Sequence, residues 1–173
     1  MARNQMMKAI AMAQPPQPAQ QQPVSRIKPV MDQMMKDPKY GRAADIMALP
    51  TAKLVAILQD PGATVYARAK ACQRLAVVGD KSAVPALATL LTDPQLSHYA
   101  RTGLETNPDP SASDALRAAL GKVKGAQLVG VISSIGKRRD RRAIRQLEEL
   151  RHHADIEVCR AADSALALIR PLL

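Results

Sequence analysis

The chain contains no tryptophan and no phenylalanine, and three tyrosines are its only large aromatic side chains. With 47% of residues hydrophobic, a core without those rings has to be filled by Ala, Leu, Val, Ile and Met. Such a set suits closely packed helices, because Ala and Leu have the best helix propensities and small side chains let helix axes approach. It suits a β-sandwich poorly, since strands favour β-branched and aromatic residues. Cysteine is almost as scarce. Cys72 and Cys159 are too few for a disulfide framework or a thiolate metal site, and both read as small, buried or half-buried helix residues. No hydrophobic run approaches the ~18–20 residues that cross a bilayer, so no membrane partner is expected.

Acidic residues are also in deficit: 25 Lys and Arg face 15 Asp and Glu, a formal charge of +10. The excess is spread along the chain, with a net of +4 in residues 1–40 and +3 in each of 41–136 and 137–173. A dispersed surplus keeps a protein in solution and tolerant of polyanions without defining a site. With 173 residues the chain is long enough for one domain with a real core, and a monomer is the expected state.

The first 28 residues lack what a core needs. Residues 14–23 read QPPQPAQQQP; proline fixes the backbone and removes donors, and glutamine adds no apolar area, so residues 1–28 are predicted to be a disordered, Pro/Gln-rich tail. Ala11-Met12-Ala13 has the small-residue form of an export cleavage site, but Lys8 interrupts the apolar stretch before it, and cytoplasmic residence is the expectation. Residues 29–49 are predicted as short N-terminal capping helices, Val30 to Lys36 and Arg42 to Leu49. Met31, Met34 and Met35 would form a flexible apolar cap.

From residue 50 to 173 the chain repeats itself. Asp-x-x-Ala-x-x-x-Leu occurs at Asp80-Ala83-Leu87, Asp109-Ala112-Leu116 and Asp140-Ala143-Leu147, at intervals of 29 and 31 residues. A shift of 33 carries Leu54, Ile57 and Leu58 onto Leu87, Leu90 and Leu91, Asp60-Pro61 onto Asp93-Pro94, and Tyr66-Ala67-Arg68 onto Tyr99-Ala100-Arg101. Four copies near period 30 point to a stack of helical hairpins. Each repeated aspartate stands where its carboxylate can accept from the first free N–H groups of a helix. Pro85 and Pro110 fall in or before a first turn, where a missing N–H does no harm. Alanine and leucine four residues apart share one helix face. A second apolar segment follows each time: Ala67, Ala71, Leu75 and Val78, then Leu128, Ile132 and Ile135, then Val158, Ala162, Leu166 and Ile169. The expected helices are 51–59, 63–78, 82–92, 96–106, 111–120, 124–136, 141–152 and 155–169, all-α with no sheet.

The stretch YARAKACQRLAVVGDKSAVPALATLL, Tyr66 to Leu91, resembles the short HEAT repeat of the phycobilisome-lyase type, and DIEVCRAADSALALI, Asp155 to Ile169, is similar to its second helix. Pro94 to Asp140 resembles bacterial HEAT-repeat proteins. The resemblance covers about residues 50–170 and departs where the helix after Tyr99 stops early at Asn107-Pro108. It implies an α-solenoid of about four stacked hairpins whose concave helical surface serves as a non-enzymatic protein-interaction scaffold. The matching positions are core and turn residues, so the resemblance says more about fold than about function. Some DNA glycosylases resemble such arrays, which makes a nucleic-acid binder or base-excision enzyme the rival expectation. Bilin attachment, as in the lyases, is a third reading by fold analogy alone.

Motifs of catalysis are missing: no phosphate-binding glycine loop, no nucleophile elbow and no acid pair at helical spacing. His152 and His153 are adjacent and would point about 100° apart on a helix, so with Asp155 and Cys159 they read as a polar turn before they read as a metal site. Neither metal nor cofactor is expected. The densest charge is GKRRDRRAIR, Gly136 to Arg145, across a predicted hairpin turn. Lys137, Arg138, Arg139, Arg141, Arg142 and Arg145, with the repeat-equivalent Arg68 and Arg101, are the candidate partner-binding residues. Arginine forks suit carboxylates and phosphates. A solvated turn is the plainer reading, a protein partner of unknown identity the next, and a nucleic acid the third. The duplex reading lacks stacking aromatics.

Overall fold

The structure is a computed structural model that describes residues 35–170; the tail at 1–28 and most of the Met-rich segment, Met31 and Met34 included, lie outside the described residues. The described part is mostly helical, and helices that follow one another in sequence pack on one another. It opens with a two-residue antiparallel ladder, β1 (Lys36–Asp37) against β2 (Gly41–Arg42). The expected absence of sheet is thus corrected, and so is the end of the expected helix Val30 to Lys36, whose residues 30–34 lie outside the described residues. Turn chemistry is the reason. Asp37 Oδ1 accepts the N–H groups of Lys39 at 2.7 Å and Tyr40 at 2.8 Å, and Gly41 supplies φ of 78°, so the chain reverses instead of continuing a helical turn.

Asp37 also ties this small ladder to the helical region. Its second oxygen accepts from Thr64 N at 2.9 Å and Thr64 Oγ1 at 2.7 Å. The short α1 (Ala43–Met47), predicted as 42–49, buries Ile46. Tyr40 Oη at 2.6 Å and Lys39 Nζ at 2.8 Å both donate to Asp60.

Eight helices come next in four hairpins: α2 (Thr51–Gln59) with α3 (Val65–Val78), α4 (Val84–Thr89) with α5 (Ser97–Thr106), α6 (Pro110–Ala119) with α7 (Gly125–Lys137), and α8 (Ile144–Leu150) with α9 (Ile156–Ile169). Thr64 caps α3 by accepting from Ala67 N, and α1 packs on the same helix. The helix bounds match the spacing of the apolar residues to within a few positions. The expected segments 82–92 and 141–152 are composite, since 3₁₀ turns at Lys81–Ala83 and Leu90–Thr92 flank α4 and one at Arg141–Ala143 precedes α8. Asp80, Asp109 and Asp140 each accept from the N–H two residues on, at Ser82, Ser111 and Arg142. A carboxylate at that position meets both free donors and the positive end of the helix dipole. Asp155 does the same for α9 through Glu157 N.

The repeat-equivalent Leu87, Leu116 and Leu147 are all fully buried, as are Leu54, Ile57, Leu75, Ile132 and Ile135. The second helices α3, α5, α7 and α9 pack each on the next. Two glycines let helices close up, Gly136 between α7 and α9 and Gly103 between α4 and α5 of one hairpin. A Cβ on Gly136 would stand 2.8 Å from Ala165 Cα, and one on Gly103 would stand 3.0 Å from a Leu87 methyl. Among the described residues no helix is long and apolar enough to cross a membrane.

This packing sets two expected outcomes. Leu116→Ala should cost roughly 2–5 kcal/mol in denaturant unfolding, while Glu149→Ala, on an exposed face, should stay within about 0.5 kcal/mol; wild-type melting of Leu116→Ala would show the repeat register to be wrong. Burial raises the Asp37 carboxyl, but the hydrogen bonds from Thr64, Tyr40 and Lys39 outweigh it and hold the group below its ordinary 3.8. A carboxyl lowered on folding stabilises above its unfolded value and loses that contribution as pH falls through the folded one. Asp37→Ala should therefore cost about 2–3 kcal/mol at neutral pH, and its gap from wild type should narrow below about pH 4.

Candidate functional site

A helix ends with carbonyl oxygens that its own ladder leaves without donors. In α3 and α5 several of these are satisfied by side chains from the next hairpin, while Val78 O of α3 accepts from Thr51 Oγ1 of its own hairpin at 3.1 Å. At the end of α3, Thr106 Oγ1 donates to Ala76 O at 2.6 Å and Asn107 Nδ2 donates to Asp80 O at 2.8 Å. One hairpin later the same two positions are Lys137 and Arg138. The Arg138 guanidinium reaches back to the end of α5, where Nη1 donates to Leu104 O at 2.7 Å, Glu105 O at 3.1 Å and Asn107 O at 2.6 Å. Its Nη2 donates to Asp109 O at 3.3 Å and its Nε to Ser113 Oγ at 2.8 Å. Beside it, Lys137 Nζ sits 3.0 Å from Glu105 Oε1. A cation at a helix C-terminus also meets the negative end of the dipole.

Arg101 and Arg68 are held inside the fold in a comparable way. Arg101 Nη1 donates to Gly130 O at 2.9 Å, and a Cβ on Gly130 would lie 2.4 Å from the guanidinium carbon. Glycine is what lets the fork lie flat against α7. Arg68 Nη2 donates to Asp60 O at 2.7 Å, across its own hairpin turn. Burial pulls Arg101 and Arg138 below the ordinary arginine value, and the carboxylates near them, Glu105 for the first and Asp140, Asp109 and Glu105 for the second, pull the other way.

The remaining members of the basic turn are exposed. Arg142 Nη1 lies 3.1 Å from Asp114 Oδ1 and Arg145 Nε 3.3 Å from Glu149 Oε1, solvated pairs worth at most about 1 kcal/mol each. Asp140 turns inward to Arg117, which also pairs with Asp114. Arg139 and Arg141 have neither a side-chain hydrogen bond nor an ion pair among the described residues, and both are exposed. The structure thus splits the eight candidate residues. Arg68, Arg101 and Arg138 bind backbone carbonyls within the fold, Lys137, Arg142 and Arg145 face acidic neighbours, and Arg139 and Arg141 stay open.

The turn itself is tight. Arg139 N donates to Gly136 O at 2.9 Å and Asp140 N donates to Ile135 O at 3.3 Å, the paired bonds of a Schellman closure, which needs a left-handed residue between them. Arg139 is that residue, with φ of 52°. By contrast α3 and α5 leave in extended conformation at Gly79 and Asn107, which frees their carbonyls for the neighbour.

Sequence reasoning missed Asn107 and Arg138 as caps. The early stop at Asn107-Pro108 was the available signal, because a buried asparagine at a helix end implies a partner for its amide. The polar turn at His152-His153 closes on itself: His153 Nδ1 accepts from Asp155 N at 3.0 Å and Cys159 Sγ donates to His153 O at 3.0 Å. Cys72 is buried, and burial pushes its thiol up to about 12, so thiolate chemistry has no footing there. Among the described residues no three His, Cys, Asp or Glu side chains are placed to hold one metal ion. No family model matches the chain, and neither does any curated protein.

Arg138→Ala should destabilise by about 2–3 kcal/mol, since several buried acceptors lose a charged donor, and Arg138→Lys should recover little because a point charge cannot replace the fork. Arg139→Gly should leave stability unchanged or raise it by up to about 1 kcal/mol, by relieving the left-handed conformation. Thermal unfolding of the three variants checks both statements.

Proposed function

We propose that residues 50–170 form a HEAT-like α-solenoid of four stacked hairpins, and that it works as a non-enzymatic scaffold for a protein partner. The observation that supports this reading is the layer of second helices, α3, α5, α7 and α9, each packed on the next. Many of its exposed positions are small and uncharged, such as Gln73 and Val77 on α3, His98, Thr102 and Thr106 on α5, Ala126 on α7 and Ser164 on α9, while the exposed charges Lys137, Glu157, Arg160 and Asp163 are confined to the end of α7 and to α9. His98, Thr102 and Thr106 recur every four residues, so they form one stripe along α5. A surface of that chemistry admits close approach by another polypeptide with little desolvation cost. It offers little to a phosphate backbone, which needs cations along its whole track. The arginines that repeat from hairpin to hairpin, Arg68 and Arg101, already donate to carbonyls of the fold.

A photo-crosslinking residue introduced at Thr102 of the full chain should yield discrete protein adducts in the producing cells, and one at Ala118, on the exposed side of α6, should yield few. Thr102→Arg should abolish those adducts, and capture should persist at high salt. Equal labelling from both faces would defeat the scaffold reading. Sub-micromolar, salt-sensitive duplex binding that survives deletion of residues 1–28 would replace it with the nucleic-acid one.

A further inference from the structure

The closure at the end of α7 requires a left-handed residue, and glycine adopts that conformation without steric cost. This chain places an arginine there, Arg139 at φ 52°, the one non-glycine residue with positive φ among those described. The closure uses only the backbone of Arg139: its guanidinium finds no hydrogen-bond or ion-pair partner among the described residues and the side chain is exposed. Arg141, two positions on, is exposed and unpaired in the same sense. Asp140 between them neutralises neither, since its carboxylate accepts from Arg142 N and faces Arg117. The other cations of the turn face carboxylates or carbonyls: Lys137 faces Glu105, Arg138 the end of α5, Arg142 Asp114 and Arg145 Glu149. A strained residue whose side chain serves nothing inside the molecule points to a use outside it.

We infer that Arg139 and Arg141 are an open guanidinium pair that clamps carboxylates of an acidic segment of the protein partner. The inference rests on the scaffold reading and names the chemistry of what the scaffold holds. Each fork presents parallel N–H donors that match a carboxylate in a two-pronged contact. A duplex is a poorer fit. Its phosphates recur along a track, whereas the two earlier turns of this series carry only Lys81 beside Asp80, and Pro108 beside Asp109.

The test is a titration of the full chain into a fluorescein-labelled decaglutamate peptide, read by anisotropy at low salt. The wild type should bind. Arg139→Gly combined with Arg141→Ala should weaken binding by about tenfold or more, with a Tm no lower than that of the parent. Arg145→Ala, which removes an equally exposed charge from the same region, should change affinity by less than about twofold. Arg139→Lys, which keeps the charge and loses the fork, should recover only part of the affinity. Three results would overturn the clamp: no peptide binding by the wild type, an equal loss from Arg145→Ala, or tighter binding of a mixed-sequence duplex through the same two residues. Loss of the clamp with Thr102 adducts intact leaves the scaffold standing, while loss of those adducts with peptide binding intact removes the scaffold and leaves an anion site.

Discussion

Short helices have many ends, and each end leaves carbonyl oxygens that water or another donor must satisfy. In this chain the ends of α3 and α5 meet the following hairpin, where water has restricted access. Asn107 and Arg138 supply the missing donors, and much else depends on their doing so. The extended exits at Gly79 and Asn107 expose the carbonyls to the neighbour. The aspartate caps just after them, at Asp80 and Asp109, begin the next helix from the same turn. One turn therefore ends a helix, starts another and joins two hairpins. Its side chains pair with backbone groups that the helices leave over, as buried polar groups require.

The lack of large aromatics fits the same frame. With Ala, Leu and Ile as filler, the helices approach closely, and the missing Cβ atoms of Gly103 and Gly136 make room for Leu87 of α4 and Ala165 of α9. Dense contact between small side chains then stands in for the area that a tryptophan or phenylalanine would bury. At Gly130 the same device serves a different end, because the space is filled by the Arg101 fork instead of an apolar neighbour. Apolar and polar joints thus alternate along α7: Gly130 receives a guanidinium and Gly136 receives Ala165.

Period and composition make the helices legible in the sequence alone. Leu87, Leu116 and Leu147 announce one face at one spacing, and Asp80, Asp109 and Asp140 announce where each helix begins; both are local signals read within a few residues. Less is legible in the basic turn, because charge in a sequence does not state its direction. Arg138 and Arg139 are neighbours of one chemical type, yet one donates into the end of α5 and the other faces solvent. The difference arises from a left-handed backbone at Arg139 and from acceptors some thirty residues upstream, neither of which a local pattern encodes. The N-terminal ladder escapes for a similar reason. Asp37-Pro38 and Gly41 mark a turn, but that the turn carries a ladder anchored to the helices depends on Asp37 finding Thr64, 27 positions ahead.

The direction of these caps has a consequence for synthesis on the ribosome. Apart from Thr51, which donates to Val78 O from upstream, these donors lie downstream: Asn107 serves the turn at Asp80, and Arg138 serves carbonyls 29 to 34 residues before it. A hairpin that has left the exit tunnel is therefore incomplete until its successor has emerged. Order should travel along the nascent chain one hairpin behind its own translation. Gene duplication would meet the same asymmetry. A copied hairpin inserted after α5 must carry its own Asn or Arg at the end of its second helix, or it leaves the hairpin upstream of it with bare carbonyls, while its own end can close on itself through a left-handed residue, as α7 does at Arg139.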